Sequence, residues 1–329
     1  MKEKILITGA SGFVGYHLVT EAISQGYEVY AGVRKSSAVD HLKDLALRYV
    51  YLDYTSEYSL TKELERIAPD YIIHAAGVTK AKSQTVYNLI NAEASRNLAL
   101  ATLKIQRTLK KFVLVSSLAA LGPLKNLDGL IYNDSEPRPV TAYGASKLLA
   151  EQYLSDIPDL PLIGFRPTAV YGPRERDLFV LIKSINRGLD PYIGKLDQQL
   201  SFIYVKDLVS VIFSSLKKRG LQPFYNISDG EVYDRYALAD TVKQLLKKKA
   251  IRLHLPFKGV SLFASLLERI YINRDATPVL NKEKINELTA VNWACDISAL
   301  QRDFGFTPRY NLGLGLEETI DWYQRNHWL

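Results

Sequence analysis

The chain has 329 residues, 47% of them hydrophobic and 23% charged, which is enough for one large α/β domain plus a smaller one and leaves no disordered tail by composition. Lys and Arg exceed Asp and Glu by 42 to 35, and this modest +7 suits an anionic cofactor as well as any larger polyanion. The two basic runs, Lys217-Lys218-Arg219 and Lys247-Lys248-Lys249, each close a stretch with helical spacing, where cations complement the macrodipole. No aromatic ribbon or zinc-finger spacing accompanies them, so no nucleic-acid partner is expected. Cys295 is the sole cysteine, which excludes an intrachain disulfide and fits a reducing, cytoplasmic setting. No Cys/His grouping has metal-ligand spacing, so no metal is expected. Met1 leads directly into a short apolar strand without a signal-peptide pattern, and no run of about 18 apolar residues predicts a spanning helix.

In chain order, β-branched runs at Ile5–Thr8, Glu28–Val33, Tyr49–Leu52, Tyr71–Ala75, Phe112–Ser116 and Leu162–Arg166 alternate with helical periodicity. Phe13, Val14, Leu18, Ala22 and Ile23 carry that periodicity first, then Leu60, Leu64 and Ile67. This alternation predicts an α/β fold, a doubly wound, Rossmann-like parallel sheet. After Thr168 the rhythm degrades into short helices and isolated strands, which predicts a smaller, discontinuous, mixed α/β substrate lobe. The expected division is 1–168 for dinucleotide binding, with 202–227 returning to it through Leu208–Leu216 and Phe224–Ile227, and 169–201 plus 228–329 for substrate.

Gly9, Gly12 and Gly15 follow the first strand and open the first helix. Gly9 permits a tight turn, Gly12 lets the backbone approach a pyrophosphate, and Gly15 lets the helix close on the strand. Ser11, Phe13 and Val14 lie on the same loop and helix start, where unpaired N–H groups favour an anion. At the end of the second strand an NAD-selective site carries an acidic residue, but here the position is Val33, followed by Arg34 and Lys35. Arg34 can hold a 2′-phosphate with charge-assisted bonds, so NADP(H) is favoured over NAD(H). Asp53, after the third strand, is a candidate for the adenine amino group, with a turn or helix-cap role as its alternative.

Tyr143 and Lys147 are spaced i, i+4 at the start of a helical stretch and share one face. A free tyrosine has a pKa of about 10, and lowering it to about 7 would take roughly 4 kcal/mol from the neighbouring ammonium and the nicotinamide charge. Tyr143 could then exchange a proton with a carbonyl or alcohol oxygen as hydride moves. Ser117, at the carboxyl end of the fifth strand, is chosen to polarise that carbonyl, with Ser116 as runner-up.

These residues carry a family resemblance over essentially the whole chain. The chain resembles an extended short-chain dehydrogenase/reductase of the NAD(P)-dependent epimerase/dehydratase superfamily. The matching features are Thr8 through Gly15, His74 through Gly77, Asn91 through Leu98, Ser116-Ser117, Tyr143 with Lys147, and Arg166-Pro167 with Tyr171-Gly172-Pro173. Trp293, Gly305-Phe306, Pro308 and Thr319 through Tyr323 continue it. The resemblance implies catalytic roles for Ser117, Tyr143 and Lys147, with Ala75, Ala76 and Gly77 against the cofactor and Pro167 beside the nicotinamide. The strand-five pattern, counted back from Gly122, also selects Ser117 over Ser116. Helices of this fold often pair two subunits, so a homodimer is conceivable.

Two reaction classes share this triad: net ketone reduction, and sugar-nucleotide epimerisation or dehydration on tightly held NAD. Val33-Arg34 resembles the NADP-using dihydroflavonol-reductase and 3β-hydroxysteroid-dehydrogenase branches. Leu200-Ser201-Phe202 stands where sugar-nucleotide epimerases carry Arg-Asp-Phe, which removes a phosphate partner. The apolar stretch Val260–Ile272, with Leu262, Phe263, Leu266, Leu267, Ile270 and Tyr271, could line a greasy pocket, pack in the core or touch a membrane surface peripherally. Arg174 and Arg176 could instead meet an anionic substrate group. The expectation is therefore an NADP(H)-dependent reductase of a ketone on a hydrophobic, lipid-like substrate, with a sugar-nucleotide enzyme as the alternative.

Overall fold

The computed structural model describes residues 2–106, 108–218, 222–271 and 281–329, without the side chains of 268–270 and 282. Ile270, Ile272 and Arg219, singled out above, thus lie outside the described side chains or residues.

The first half runs β1 (Lys4–Thr8), α1 (Phe13–Ser24), β2 (Glu28–Gly32), β3 (Leu47–Val50), α2 (Glu57–Ile67) and β4 (Tyr71–His74). It continues through α3 (Gln84–Tyr87), a π-helical turn (Asn88–Glu93), α4 (Ala94–Leu103), β5 (Lys111–Val115), α5 (Ala142–Ser155) and β6 (Leu162–Pro167). Next come β7 (Ala169–Tyr171), α6 (Asp177–Asn186), β8 (Leu189–Ile193), β9 (Gln199–Leu200), β10 (Phe202–Tyr204), α7 (Val205–Lys217) and β11 (Phe224–Ile227). The chain ends with β12 (Tyr233–Asp234), α8 (Ala237–Leu246), β13 (Ile251–Leu255), α9 (Phe257–Tyr271), α10 (Lys282–Leu288), α11 (Ser298–Phe304) and α12 (Leu312–Arg325).

The central sheet has seven strands in the order β11-β6-β5-β4-β1-β2-β3, every pairing parallel. Its strands are apolar on both faces because helices cover both. Leu18, Val19 and Ala22 of α1 and Leu208, Ile212 and Leu216 of α7 belong to the core on one side. Leu60 and Leu64 of α2, Leu98 of α4 and Leu154 of α5 belong to the other. The order reverses between β1 and β4, so their carboxyl ends open a crevice suited to a ligand.

Three details depart from the sequence reading. The third strand starts at Leu47, earlier than expected. Leu208–Leu216 returns to the sheet not as a strand within it but as the body of α7, packed in the core on one of its faces. Phe202–Tyr204 pairs with β7 in a separate two-stranded sheet, and α11 turns back from the lobe to seat Phe304 on Tyr225 of β11, ring centres 5.2 Å apart.

The lobe has its own core, in which Ile182 of α6, Leu238 and Val242 of α8, and Leu316, Ile320 and Tyr323 of α12 are buried. β8 pairs in parallel with β13, and α9 packs Val260 and Ala264 against Ile285 of α10 and Ile193 of β8.

The helix start at Gly15 tolerates no side chain: a Cβ there would lie 2.0 Å from the Gly9 carbonyl oxygen. Gly15→Ala should therefore cost about 1–3 kcal/mol of stability through overpacking. Gly259→Ala, whose Cβ meets nothing within 4 Å on exposed α9, should be neutral or slightly stabilising. Urea unfolding midpoints of the two variants check the contrast.

Candidate active site

Gly9 takes a left-handed φ of +68°, and a Cβ on it would approach the Ala75 carbonyl oxygen to 2.6 Å. The loop after β1 is therefore pressed against the loop after β4. Gly12 is the N-cap of α1 without a side-chain cap, and the first turn carries no acidic residue. No carboxylate of that turn competes for the positive end of this helix, which suits it to an incoming anion. Alongside runs a cleft of about 510 Å³ bordered by Gly9, Ser11, Gly12, Val33, Arg34 and Ala75–Val78. A dinucleotide's pyrophosphate fits this cradle by shape and by charge.

At the ribose end Val33 is buried and Arg34 is exposed on the rim, its backbone N–H 3.1 Å from the Ser37 hydroxyl. Asp53 does not border the cleft. Its carboxylate accepts from the Thr55 N–H at 3.0 Å and the Thr55 hydroxyl at 2.7 Å, which holds it below the usual carboxylate range. Asp53 thus takes the turn role given above as its alternative, just before α2. Tyr54 and Thr55 face the cleft instead.

Beyond Ala75 and Gly77 the cleft continues into a second cavity bordered by Val14, Ser117, Tyr143, Lys147 and Pro167. Thr141 caps α5 by accepting from the Gly144 N–H at 3.0 Å, so Tyr143 and Lys147 fall in its first two turns. The Lys147 ammonium lies 6.0 Å from the centre of the Tyr143 ring and donates to the Val115 carbonyl at 2.9 Å. Ser117 stands beside the phenol, its oxygen also accepting from the Ala119 N–H at 3.2 Å. Ser116, the runner-up, is turned away: its hydroxyl donates to Glu151 at 2.5 Å.

Burial pushes the Tyr143 phenol up to about 12, with the Ser117 hydroxyl acting the other way. Burial also pushes Lys147 down to about 8, opposed by the Glu151 carboxylate. The shift on Tyr143 in the protein alone is thus opposite to the sequence expectation. Desolvation dominates, and the ammonium over the ring face donates its hydrogen bond to the Val115 carbonyl and not to the phenol oxygen.

Three polar groups around these residues, Asn91, Arg166 and His74, are held by hydrogen bonds. Asn91 accepts from the Val78 N–H at 2.8 Å and donates to the Val78 carbonyl at 3.0 Å and to Ser146 at 2.9 Å. Arg166 forks onto Glu151 at 2.7–3.0 Å. His74, bonded to Thr8 and Ser95, is pushed down to about 3 by burial, so it is neutral and structural.

A third cavity of about 350 Å³ lies between sheet and lobe. Ser117 and Pro167 form its floor, and its walls include Ile193, Leu200, Phe202, Leu238 and Trp293. Two features escaped the sequence reading. The α10 residues Glu283 and Glu287 border the second cavity, and Glu283 accepts from the Ala142 N–H at 2.9 Å. Arg235 is buried in the lobe wall between the Tyr192 and Tyr236 rings, and its Nε has no acceptor. Neither stretch has a glycine or paired-residue signature, and only the tertiary path brings them to the cavity. Arg174 and Arg176 lie over the aromatic rings of Tyr16 and Trp328 and border none of the three cavities.

Residues 5–228 match the family described as the NAD dependent epimerase/dehydratase family. The chain belongs to that family. It is an NAD(P)-dependent enzyme of the extended short-chain dehydrogenase/reductase type. It is similar to ceramide reductase of Caulobacter vibrioides, 26% identical over 99% of this chain and 96% of that protein. It is also similar to the decarboxylating sterol-4-alpha-carboxylate 3-dehydrogenase of Dictyostelium discoideum, 23% identical over 96% of this chain and 99% of that protein. The fold matches that of the Bordetella bronchiseptica enzyme WbmG in complex with NAD and UDP, with a TM-score of 0.79, 20% identity, and coverage of 99% and 96% of the two chains. Among the described residues no helix is long and apolar enough to cross a membrane.

The low-shifted Lys147 makes stability depend on pH in a defined window. Its folded value of about 8 lies below the unfolded value of about 10.4, so between these the unfolded chain binds more protons and this contribution rises with pH. Below about pH 8 the buried ammonium exerts its full destabilising effect. In Lys147→Met that contribution vanishes, so the variant's advantage in urea midpoint should be largest near pH 7 and shrink toward pH 10. A gap independent of pH would contradict the assigned direction.

Proposed function

We propose that this protein transfers hydride between NADP(H) and a ketone or alcohol on a hydrophobic, lipid-like substrate, with Tyr143 as general acid/base. The observation that carries this is the wall of the third cavity, where Ile193, Leu200, Phe202, Leu238 and Trp293 converge on Ser117. Such a surface binds hydrocarbon by burying apolar area. Leu200, where an arginine would serve a nucleotide's phosphates, is part of that wall. The relative whose name specifies a ceramide reductase agrees with a long-chain ketone, such as one on an N-acylated amino alcohol.

When bound, a reduced nicotinamide supplies the hydride. Gly9, Gly12 and the α1 start would hold its pyrophosphate, and Pro167 and Val14 border the space for its ring. Arg34 would pair with a 2′-phosphate. Ser117 donates a hydrogen bond to the substrate carbonyl oxygen, which orients it and draws charge toward it. Tyr143 gives its proton to that same oxygen, and Lys147, still largely charged at neutral pH, stabilises the phenolate left behind.

One observation favours a second reading, a sugar nucleotide or other anionic substrate on NAD. Arg235 is a buried cation at the cavity wall without an ion pair among the described residues, and an anionic group would compensate it.

NADPH and NADH consumption with keto-lipids, small aromatic ketones and sugar nucleotides separates the two readings. Keto-lipid reduction with NADPH is expected, with kcat/KM lower by about 10²–10⁴-fold in Tyr143→Phe. Arg34→Ala should weaken NADPH about 10–100-fold while leaving NADH nearly unchanged, as for loss of a charged hydrogen bond. Sugar-nucleotide conversion without net cofactor turnover would overturn the reductase reading.

A further inference from the structure

We propose that α9 and the outer face of β13 form a docking surface for an anionic lipid bilayer. The helix is two-faced. Val260 and Ala264 are buried against Ile285 and Ile193, while Leu262, Phe263 and Leu266 are 74%, 55% and 54% exposed. At 100° per residue these three form one stripe, with Lys258 on its flank. β13 continues the surface. Ile251, Leu253 and Leu255 alternate along the strand, so they share one face, and all three are exposed. Leu196 adds to it from the loop after β8, where the Gly194 N–H donates to the Leu255 carbonyl at 2.9 Å.

The charge around this surface selects the occupant. Lys195 next to Leu196, Lys247, Lys248 and Lys249 just before Ile251, and Lys258 on α9 are exposed and make no ion pair among the described residues, against one exposed carboxylate in the same loop, Asp197. The neighbouring cations directed inward are neutralised: Lys243 and Arg252 both pair with Asp190 and Asp240. An apolar stripe edged by unpaired lysines matches the boundary between acyl chains and acidic headgroups. A second copy fits poorly, because pairing this face with itself opposes like charges, and lysine is depleted where proteins meet.

The surface is also in the right place for the proposed substrate. Ile193, against which α9 packs, is itself part of the apolar cavity wall, as is Leu288 at the end of α10. A docked bilayer would lie on the outside of that wall, next to where a membrane-resident ketone would be taken up. This purpose rests on the lipid-substrate reading, whereas the docking surface rests on exposure and charge alone.

Co-sedimentation with phosphatidylcholine vesicles, with and without one-third phosphatidylglycerol, tests it. The wild-type protein should pellet with the anionic vesicles and be released by high salt. Leu262→Glu/Phe263→Glu/Leu266→Glu and Lys247→Glu/Lys248→Glu/Lys249→Glu should each lower the bound fraction about tenfold or more, as expected when burial and electrostatic attraction act together. Both variants should keep the wild-type thermal midpoint and the wild-type rate on a water-soluble ketone. Wild-type protein left in the supernatant, or variants that bind undiminished, would overturn the proposal. So would a concentration-dependent dimer, by ultracentrifugation, that the apolar variant abolishes. Lipid-ketone turnover absent in every form, with vesicle binding intact, would count against the substrate reading and leave the docking surface standing.

Discussion

The contact between the Gly9 turn and the Ala75 backbone is the constraint on which the site depends. Two loops at the carboxyl edge of a parallel sheet must come together closely enough that neither Gly9 nor Gly15 has room for a methyl group. This approach fixes the start of α1 against β4, so the positive end of the helix faces the cleft that leads to Tyr143. The Thr8 hydroxyl ties the same edge together by accepting from the Ala76 N–H at 3.1 Å and bonding His74 at 2.7 Å. Because burial keeps His74 neutral, the arrangement adds no charge next to the anion site.

A second layer holds the reacting residues. Lys147 reaches under the site to the end of β5, and Glu151, one turn further along α5, receives both Ser116 and the Arg166 fork. Arg166 also donates to the Asn133 carbonyl at 3.0 Å, so β5, β6, α5 and the loop before α5 share one polar network. A buried carboxylate in such a network is favourable only when its lone pairs are filled, and here they are. This network favours Ser117 over Ser116 for the proposed polarising role: both border the cavity, but the Ser116 hydroxyl is committed to Glu151.

Local chemistry was legible in the sequence, and tertiary placement was not. The sheet strands could be read because parallel strands buried on both faces are short β-branched runs, and the glycine spacing carried a mechanism of its own. Leu208–Leu216 shows the limit of such patterns: a helix buried along most of its girth is apolar nearly throughout, and a short window cannot tell it from a strand. Asp53 was ambiguous for a different reason. A carboxylate two residues before a threonine can close its own turn, and only the folded backbone decides between that and a ligand. Arg235 and Glu283 carry no local pattern at all; they reach the cavities through the path of the lobe.

The two burial shifts at the centre of the site act together on the direction of proton flow. Tyr143 is raised to about 12 and Lys147 lowered to about 8, so desolvation drives both toward neutrality. Their separation leaves a neutral phenol beside a mostly charged ammonium at neutral pH. That is the pairing needed to give a proton away, because the acid is fully loaded and the cation is ready to stabilise the phenolate. An alkoxide forming on a reduced carbonyl is a stronger base than a phenolate even at this raised pKa, so the transfer runs downhill. The reverse direction must first remove the phenol proton against desolvation, a cost that falls as pH rises. On the proposed function, the triad would therefore give up a proton more readily at neutral pH and accept one more readily in alkali.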